Sequence, residues 1–282
     1  MDKILIIPNK LKDTSLSVST EAARILKDNG ARVFIEGKYG TTLSGYAEIY
    51  SECDIDLIIV VGGDGSVLDA SPLAIEKKIP ILGINLGKLG YLAEVDVNEL
   101  HSLSKLFSGD FVIEDKMLLE VFVKIDGNEE VSGRLAVNDV IISHESFLGI
   151  ADFNLEKWDG ERVRYRADGI IFSTPVGSTA YSLSAGGPIV SHGINSILVT
   201  PIAPHSFFNR SIIFSPSEKL KIKNESEEGL KISIDGRLYK TMNSGDECIV
   251  STSPKTLKMI SFNKNNNFST LFKKMRNLED VK

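Results

Sequence analysis

Residues 168–188 of this 282-residue chain are rich in small and hydroxyl-bearing side chains. Residues 170–172 read as a buried strand, and Gly177-Ser178-Thr179 predicts a loop and the first turn of a helix. Free backbone N–H groups in such a turn favour a polar or anionic ligand. A plain strand-to-helix connection with a Ser or Thr cap is the alternative. The aromatic face and hydroxyls of residues 179–182, with close backbone approach at Gly186-Gly187-Pro188, favour the ligand.

A second glycine-rich segment, Gly62-Gly63-Asp64-Gly65-Ser66, follows residues 56–61, which are apolar throughout after Asp56. A continuous apolar run is typical of a strand buried on both faces of a parallel sheet. The glycines would then lie at the carboxyl end of that strand, where open α/β sheets bind ligands. A helix from residue 66 to about 78 would point its N-terminus at the same crevice. In the alternative, a tight turn, Asp64 only caps the helix, although Ser66 could supply that cap.

These two segments resemble the NAD kinase family of bacteria and archaea, and further segments match it in the same order. Two departures keep the chemical type, since Asp139 stands where Glu is commonest and Tyr91 where Phe is commonest. The further matches are Gly83-Ile84-Asn85-Leu86-Gly87-Lys88-Leu89-Gly90-Tyr91-Leu92, Leu135-Ala136-Val137-Asn138-Asp139-Val140, Pro201-Ile202-Ala203-Pro204-His205-Ser206 with Arg210, and Ser233-Ile234-Asp235-Gly236.

The predicted fold combines an α/β domain with an all-β domain. Before residue 98, strands alternate with helical stretches, which indicates a parallel, Rossmann-like sheet. After it, short alternating segments separated by turn signals indicate a β-sandwich-like domain. We therefore expect an NAD kinase and diacylglycerol kinase-like architecture. Its parts would be an α/β domain at residues 1–97, a β-rich NAD-binding domain at 98–264 and, as in the family, a helix at 265–282 returning to the first domain.

Composition narrows the functional class. Hydrophobic residues make up 42% of the chain, enough for a sizeable core. The net charge of −6 argues against a nucleic-acid binder. Two distant cysteines form no disulfide framework, the first apolar run is too short for a signal peptide, and no segment approaches the length of a membrane span. We expect a cytoplasmic protein without membrane or nucleic-acid partners.

Phosphoryl transfer needs positioned donors, a metal and a carboxylate near the attacking hydroxyl. The chain has no P-loop sequence, so the donor phosphates must be bound another way. Gly62, Gly63 and Gly65 with Ser66 can cradle phosphate through backbone N–H groups. The resemblance implies the same role, and it implies that Asp64 is the general base for the adenosine-ribose 2′-hydroxyl of NAD. The expected metal is Mg²⁺ arriving with ATP, with no protein residue assigned to it.

Asn138 and Asp139 interrupt the otherwise apolar residues 135–142, which predict one strand. Polar groups there are costly unless a ligand or buried partner matches them. The alternative is an edge strand whose polar step faces solvent. The resemblance implies that this pair contacts the adenosine portion of NAD. It also implies that Asp168 lies at the nicotinamide end and that the adenine and ribose are lined by Thr179, Ala180, Tyr181 and Ser184; core packing is the alternative for Tyr181.

Three arginines alternate along residues 162–167 and share one face of a predicted strand. A solvated outer face or a subunit contact is favoured over diphosphate binding, although Arg166 is kept as a candidate dinucleotide contact. A structural role is favoured for His205, because a lone histidine is more often structural than a ligand or a base. No role follows from the sequence for Arg210.

The sequence therefore predicts an enzyme that phosphorylates NAD to NADP with ATP or another donor. A lipid kinase of the diacylglycerol or sphingosine type also uses Gly-Gly-Asp-Gly, but residues 179–182 and 186–188 argue against it. A non-catalytic dinucleotide sensor is the other alternative, and the intact Asp64 argues against it. The resemblance implies a homodimer or homotetramer. Donor preference, the choice between NAD and NADH, and feedback regulation stay open.

Overall fold

The computed structural model describes residues 1–40, 42–51, 53–87, 90–125, 127–129, 133–146, 149–205 and 209–262. The helix expected at residues 265–282 lies outside these ranges. Contacts among the described residues divide the chain into a first unit, residues 1–116 with residues 257–262, and a second unit, residues 117–256.

The first unit is a parallel sheet with helices. Strands β1 to β5 pair in the order β5-β4-β1-β2-β3, and β6 pairs with β5. The strands are β1 (Lys3–Pro8), β2 (Arg32–Ile35), β3 (Glu48–Ile49), β4 (Leu57–Gly62), β5 (Ile81–Asn85) and β6 (Val95–Asp96). The helices are α1 (Ser17–Asp28), α2 (Asp64–Lys77) and α3 (Lys105–Ser108), with 3₁₀ helices at Gly37–Tyr39 and Val97–Ser104.

The parallel sheet forms because its central strands are apolar along their whole length. Every residue of β4 and β5 is buried, as expected for strands covered on both faces. The predicted α/β class is thus confirmed. Helix α2 begins at Asp64, two residues before the predicted start at Ser66, because the extended residue Gly63 is its N-cap.

The first unit extends beyond the predicted boundary at residue 98. Leu100 and Leu103 of the 3₁₀ helix and Leu106 of α3 are buried in the first core, so the change of unit falls between residues 116 and 117. The return to the first unit at residue 257 also precedes the predicted position, since Ile260 belongs to the same core.

The second unit contains two antiparallel sheets. One has the order β12-β11-β16-β19 and the other β15-β14-β13-β10-β17-β18, while β7 pairs with β8 and β9. The strands are β7 (Val112–Ile125), β8 (Asn128–Glu129), β9 (Arg134–Ala136), β10 (Asp139–His144), β11 (Ala151–Lys157), β12 (Arg162–Ala167), β13 (Gly169–Ser173), β14 (Ile197–Ile202), β15 (Ile212–Phe214), β16 (Lys219–Lys223), β17 (Leu230–Ile234), β18 (Arg237–Met242) and β19 (Glu247–Ser261). A 3₁₀ helix at Gly177–Thr179 precedes the short helix α4 (Tyr181–Ser184).

The two sheets of the second unit share one core. Phe153 and Tyr165 from the first sheet and Phe172 from the second are fully buried within it. This arrangement confirms the predicted β-sandwich-like class. The alternation of residues 219–223 and 230–234, with turn signals at both ends of each segment, predicts two strands, and these have the bounds of β16 and β17.

Within the described ranges, no helix has the length and apolar character needed to cross a membrane. Both cysteines are free thiols, with Cys53 partly exposed and Cys248 buried.

Candidate functional site

The carboxyl ends of β1, β4 and β5 meet at one edge of the parallel sheet. Asn9 follows β1, and its amide Nδ2 donates to Ser66 Oγ at 2.8 Å. On the other side, the backbone N–H of Leu86, just after β5, donates to the carbonyl of Gly62 at 2.6 Å. The glycine-rich loop after β4 is therefore held from both neighbouring strands, as expected at the ligand-binding edge of such a sheet.

Each loop glycine has its own surroundings. A Cβ at Gly62 would lie 2.3 Å from Ser66 Oγ, so only glycine permits this close approach. Gly65 is exposed with no neighbouring atom where its side chain would begin. At the start of α2, the N–H groups of Asp64 and Gly65 have no acceptor inside the helix. The loop therefore presents open backbone donors, as phosphate binding requires.

The Asp64 carboxylate binds a loop distant in sequence. It accepts the backbone N–H of Tyr91 at 2.8 Å and that of Leu92 at 3.1 Å, and α2 receives no side-chain cap. The alternative in which Asp64 caps its own helix is therefore wrong. Its carboxylate is half-buried and oriented by these two bonds. Burial, with a smaller contribution from Asp64, raises the pKa of Tyr91.

Lys12 is a candidate that the sequence analysis missed. Its exposed side chain follows β1, and its Nζ lies 2.7 Å from the point where a side chain at Gly63 would begin. The corresponding distance from Gly87 is 3.9 Å. Among the ion pairs of the described residues, none involves Lys12. A cation thus lies over the glycine-rich loop, in the space where a side chain at residue 63 would begin.

In the second unit, Asn138 and Asp139 lie at a break between two strands and not in the middle of one strand. The predicted strand at residues 135–142 is split into β9 and β10, with Val137 and Asn138 between them. Asp139 begins β10, which lies between β13 and β17, and its side chain is 4% exposed. The edge-strand alternative is therefore wrong for Asp139.

The Asp139 carboxyl is buried without a matching group. Within the described part of the chain, neither its oxygens nor the Asn138 amide makes a side-chain hydrogen bond. Burial raises the pKa of Asp139 to about 7, and the negative charge of Asp235 adds to the increase. A ligand that donates a hydrogen bond would relieve the unmatched carboxylate.

The N–H groups at residues 177–180 are already used. Gly177 donates to Thr174 Oγ1, Ser178 to the Thr174 carbonyl and Ala180 to the Gly177 carbonyl. The expectation that this turn offers free N–H groups to an anion is therefore wrong. Thr174 accepts the first two of these N–H groups, and the i to i+3 bonds of the 3₁₀ turn use those of Thr179 and Ala180.

Most hydroxyls of the same segment also serve the structure. Ser178 Oγ bonds the Pro175 carbonyl at 2.6 Å, and Thr179 Oγ1 bonds that of Val176 at 3.0 Å. Tyr181 and Ser184, on one face of α4, are exposed, so core packing is wrong for Tyr181. Ala180 precedes them, partly exposed. The accessible candidates are therefore fewer than the sequence indicated.

Arg166, Asp168 and His205 come together. His205 Nε2 lies 3.6 Å from Asp168 Oδ1, and the His205 N–H donates to the Arg166 carbonyl at 2.7 Å. His205 is about half exposed, so the structural role favoured from the sequence would consist of these two contacts and not of core packing. The other two arginines of the stripe pair with Glu156 and Asp152, whereas Arg166 has no ion pair among the described residues.

Family models match both units in sequence order. Residues 4–111 match the ATP-NAD kinase N-terminal domain, and residues 137–262 match the ATP-NAD kinase C-terminal domain. The chain belongs to the NAD kinase family. An NAD kinase of Caldanaerobacter subterraneus subsp. tengcongensis is 36% identical over 282 residues, covering 97% of this chain and 98% of the relative. The NAD kinase of Natranaerobius thermophilus is 33% identical over 287 residues, covering 100% of both chains.

Two solved structures of NAD kinase family proteins share the fold. Yeast NADH kinase complexed with NADH has a TM-score of 0.82 at 24% identity, covering 100% of this chain and 87% of the yeast chain. An NAD kinase from Archaeoglobus fulgidus in complex with ATP has a TM-score of 0.70 at 23% identity, covering 98% and 99%. The family and fold expected from the sequence are thereby confirmed.

The raised pKa of Asp139 predicts a pH-dependent stability. Ionised Asp139 is less favourable in the folded chain than in the unfolded chain. Its contribution to the free energy of unfolding is therefore largest below about pH 4, where it is protonated in both states, and is lost as the pH rises to about 7. We expect Asp139→Asn to exceed the parent in free energy of unfolding at pH 8 by about 1–3 kcal/mol and to approach it near pH 4. Urea unfolding without ligand measures this, with the exposed Asp2→Asn as control. A less stable variant at pH 8 would contradict it.

Proposed function

We propose that this protein transfers the γ-phosphoryl group of ATP to the 2′-hydroxyl of the adenosine ribose of NAD, forming NADP and ADP. The ribose oxygen forms a bond to the γ-phosphorus as the bond to the leaving oxygen of ADP breaks, and Asp64 accepts the hydroxyl proton. The observation that carries this proposal is the oriented, half-buried Asp64 carboxylate beside an open glycine-rich loop, in a chain of the NAD kinase family.

In the first unit, the loop after β4 is the proposed binding region for the phosphoryl donor. Gly62 and Gly63 would let the ATP phosphates approach the loop closely, and the open N–H groups of Asp64 and Gly65 at the start of α2 would donate to them. The Ser66 hydroxyl would add a further donor, and Lys12 would add a positive charge. We infer that Mg²⁺ arrives with the nucleotide and takes most ligands from phosphate and water.

We propose that the second unit binds the acceptor, NAD. The unmatched Asn138 amide and Asp139 carboxyl would bind the adenosine portion, since a carboxylate accepts hydrogen bonds from ribose hydroxyls. The exposed Tyr181 and Ser184, with Thr179 and Ala180 before them, would line the adenine and ribose. At the other end, the cation of Arg166 and the carboxylate of Asp168 would meet the nicotinamide half.

A coupled assay tests the function directly. Purified protein is incubated with NAD, ATP and Mg²⁺, and NADP is detected with an NADP-specific dehydrogenase. We expect NADP to appear in proportion to enzyme and time. If no NADP forms with ATP, another triphosphate or polyphosphate, the proposal is contradicted, and the dinucleotide sensor and the lipid kinase remain. Phosphorylation of labelled diacylglycerol or sphingosine would then distinguish the lipid kinase from the sensor.

Asp64→Asn should abolish most turnover while leaving substrates bound. A carboxylate that accepts the hydroxyl proton contributes about 10²–10⁴ in rate, so kcat should fall by that factor. The amide retains one acceptor but turns an N–H donor toward Tyr91 or Leu92, so unfolding should also become easier by about 1–3 kcal/mol.

Asp69→Asn, at an exposed position on the same helix, is the matched control and should keep parental turnover. Calorimetry should find NAD and ATP affinities of Asp64→Asn within about threefold of the parent. Turnover within about tenfold of the parent would remove the base role.

Lys12→Ala should weaken the binding of ATP, the phosphoryl donor, without weakening the binding of NAD. Loss of a charge-assisted contact with a phosphate predicts about a tenfold increase in the Kd and KM of ATP, and little change in NAD affinity. Lys10→Ala removes a neighbouring exposed lysine and should change neither value. Equal effects of the two substitutions on the KM of ATP would show only a general charge effect and contradict the assignment.

We further propose a cytoplasmic homodimer or homotetramer. Two free cysteines support a reducing compartment. Exposed apolar side chains in the second unit, including Trp158 at 70% and Leu238 at 65% exposure, support burial against another copy. Light scattering should give two or four times the 30.9 kDa chain mass, whereas a monomer would contradict the assembly.

A further inference from the structure

The break between β9 and β10 leaves backbone N–H groups that need another partner. The Asp235 carboxylate accepts three consecutive ones, from Val137 at 2.9 Å, Asn138 at 2.7 Å and Asp139 at 3.1 Å. These donors precede Asp235 by almost 100 residues in the chain. One side chain thus replaces the sheet hydrogen bonds that the break removes.

The carbonyl groups of the same segment are bound from the opposite direction. Thr174 donates through its Oγ1 to the Val137 carbonyl at 2.7 Å and through its N–H to the Asn138 carbonyl at 2.9 Å. Gly177 packs so closely that a Cβ there would lie 2.0 Å from the Asn138 oxygen. Donors and acceptors of this backbone are therefore both satisfied, which leaves only the two side chains for a ligand.

A tight hairpin turn aims the Asp235 carboxylate. Asp235 and Gly236 join β17 to β18 with φ of 47° and 76°, and two positive φ values are typical of a type I′ turn, for which Asp-Gly is a preferred sequence. The Asp235 N–H also donates to the Asp139 carbonyl at 3.0 Å. Hydrogen bonds thus run from the strand break to the Asp235 carboxylate and from the Asp235 N–H back to the break.

We propose that Asp235 is the positioning residue of the acceptor site, holding the backbone of residues 137–139 so that Asn138 and Asp139 meet the adenosine ribose. This role rests on the proposed function. Asp235 acts through the backbone and does not touch the nucleotide.

A second consequence of this placement is electrostatic. The charged groups near Asp139 are Asp235 itself and, beside Asp235, Arg237, while Ser173 lies opposite Asp139 on β13. The Asp235 charge opposes ionisation of Asp139 and raises its pKa. Because the ribose contact uses the ionised carboxylate, NAD affinity of the parent should fall as pH drops through about 7.

The test compares Asp235→Asn with Asp246→Asn. Asp246 accepts a backbone N–H in another hairpin of the second unit, so it is a matched structural control. For Asp235→Asn we expect an NAD Kd at least about tenfold weaker, an ATP Kd within about twofold, and a pH midpoint of NAD affinity below that of the parent. Asp246→Asn should leave NAD affinity and the midpoint unchanged. An NAD Kd within about twofold of the parent in folded Asp235→Asn would overturn the proposal.

Asp235→Glu provides a second variant if Asp235→Asn does not fold. It keeps the charge, so NAD affinity should weaken while the pH midpoint stays at the parental value; parental NAD affinity would overturn the role.

Amide NMR separates this claim from the proposed function. The N–H protons of residues 137–139 should lose exchange protection in either variant without any ligand, and unchanged protection would overturn the positioning role. A parent that binds no NAD would instead overturn the proposed function.

Discussion

Backbone N–H groups without a partner in the sheet are the constraint on which both proposed binding regions, one in each unit, depend. A buried amide without an acceptor destabilises the fold, so each interruption of regular structure needs a substitute. In this chain aspartates supply it. Asp64 accepts two N–H groups of the loop after β5, and Asp235 accepts three at the break between β9 and β10. Each set of hydrogen bonds orients a short backbone segment, the loop after β5 in one case and residues 137–139 in the other.

The two aspartates differ in what their bonds leave available. Asp64 is half-buried, and a fixed carboxylate at the edge of a parallel sheet suits proton transfer from a hydroxyl. Asp235 uses its oxygens on three amides, so its effect passes to its neighbour Asp139, whose carboxyl has no hydrogen bond among the described residues. One carboxylate therefore suits chemistry, and the other suits the positioning of a binding group.

Sequence patterns predicted the regular elements well where pattern and local turn chemistry agreed. The first apolar run, residues 3–8, predicts β1 with its observed bounds, and alternating residues predict those of β16 and β17. The helix after the glycine-rich loop begins at Asp64 rather than Ser66, because the cap depends on the extended conformation of Gly63. Residues 135–142 read as one strand because apolar residues continue across the break, whereas the groups that stabilise the break come from Asp235 and Thr174.

Site residues were predictable by type but not by partner. The hydroxyls of residues 173–184 indicate ligand binding in sequence, yet several bond the local backbone, which only coordinates reveal. Lys12 carries no motif, and its relevance comes from lying above Gly63. The sequence likewise could not indicate that Arg166 lacks the ion pairs of its two neighbours on β12.

The position of the transferred phosphate tests the central claim most directly. NAD and ATP are incubated with the protein and Mg²⁺, and the product is examined by two-dimensional phosphorus–proton NMR. We expect a new phosphomonoester resonance correlated with the 2′ proton of the adenosine ribose, and the loss of one γ-phosphate of ATP for each product formed. Correlation with a 3′ proton or with the nicotinamide ribose, or release of orthophosphate alone, would contradict the proposed reaction.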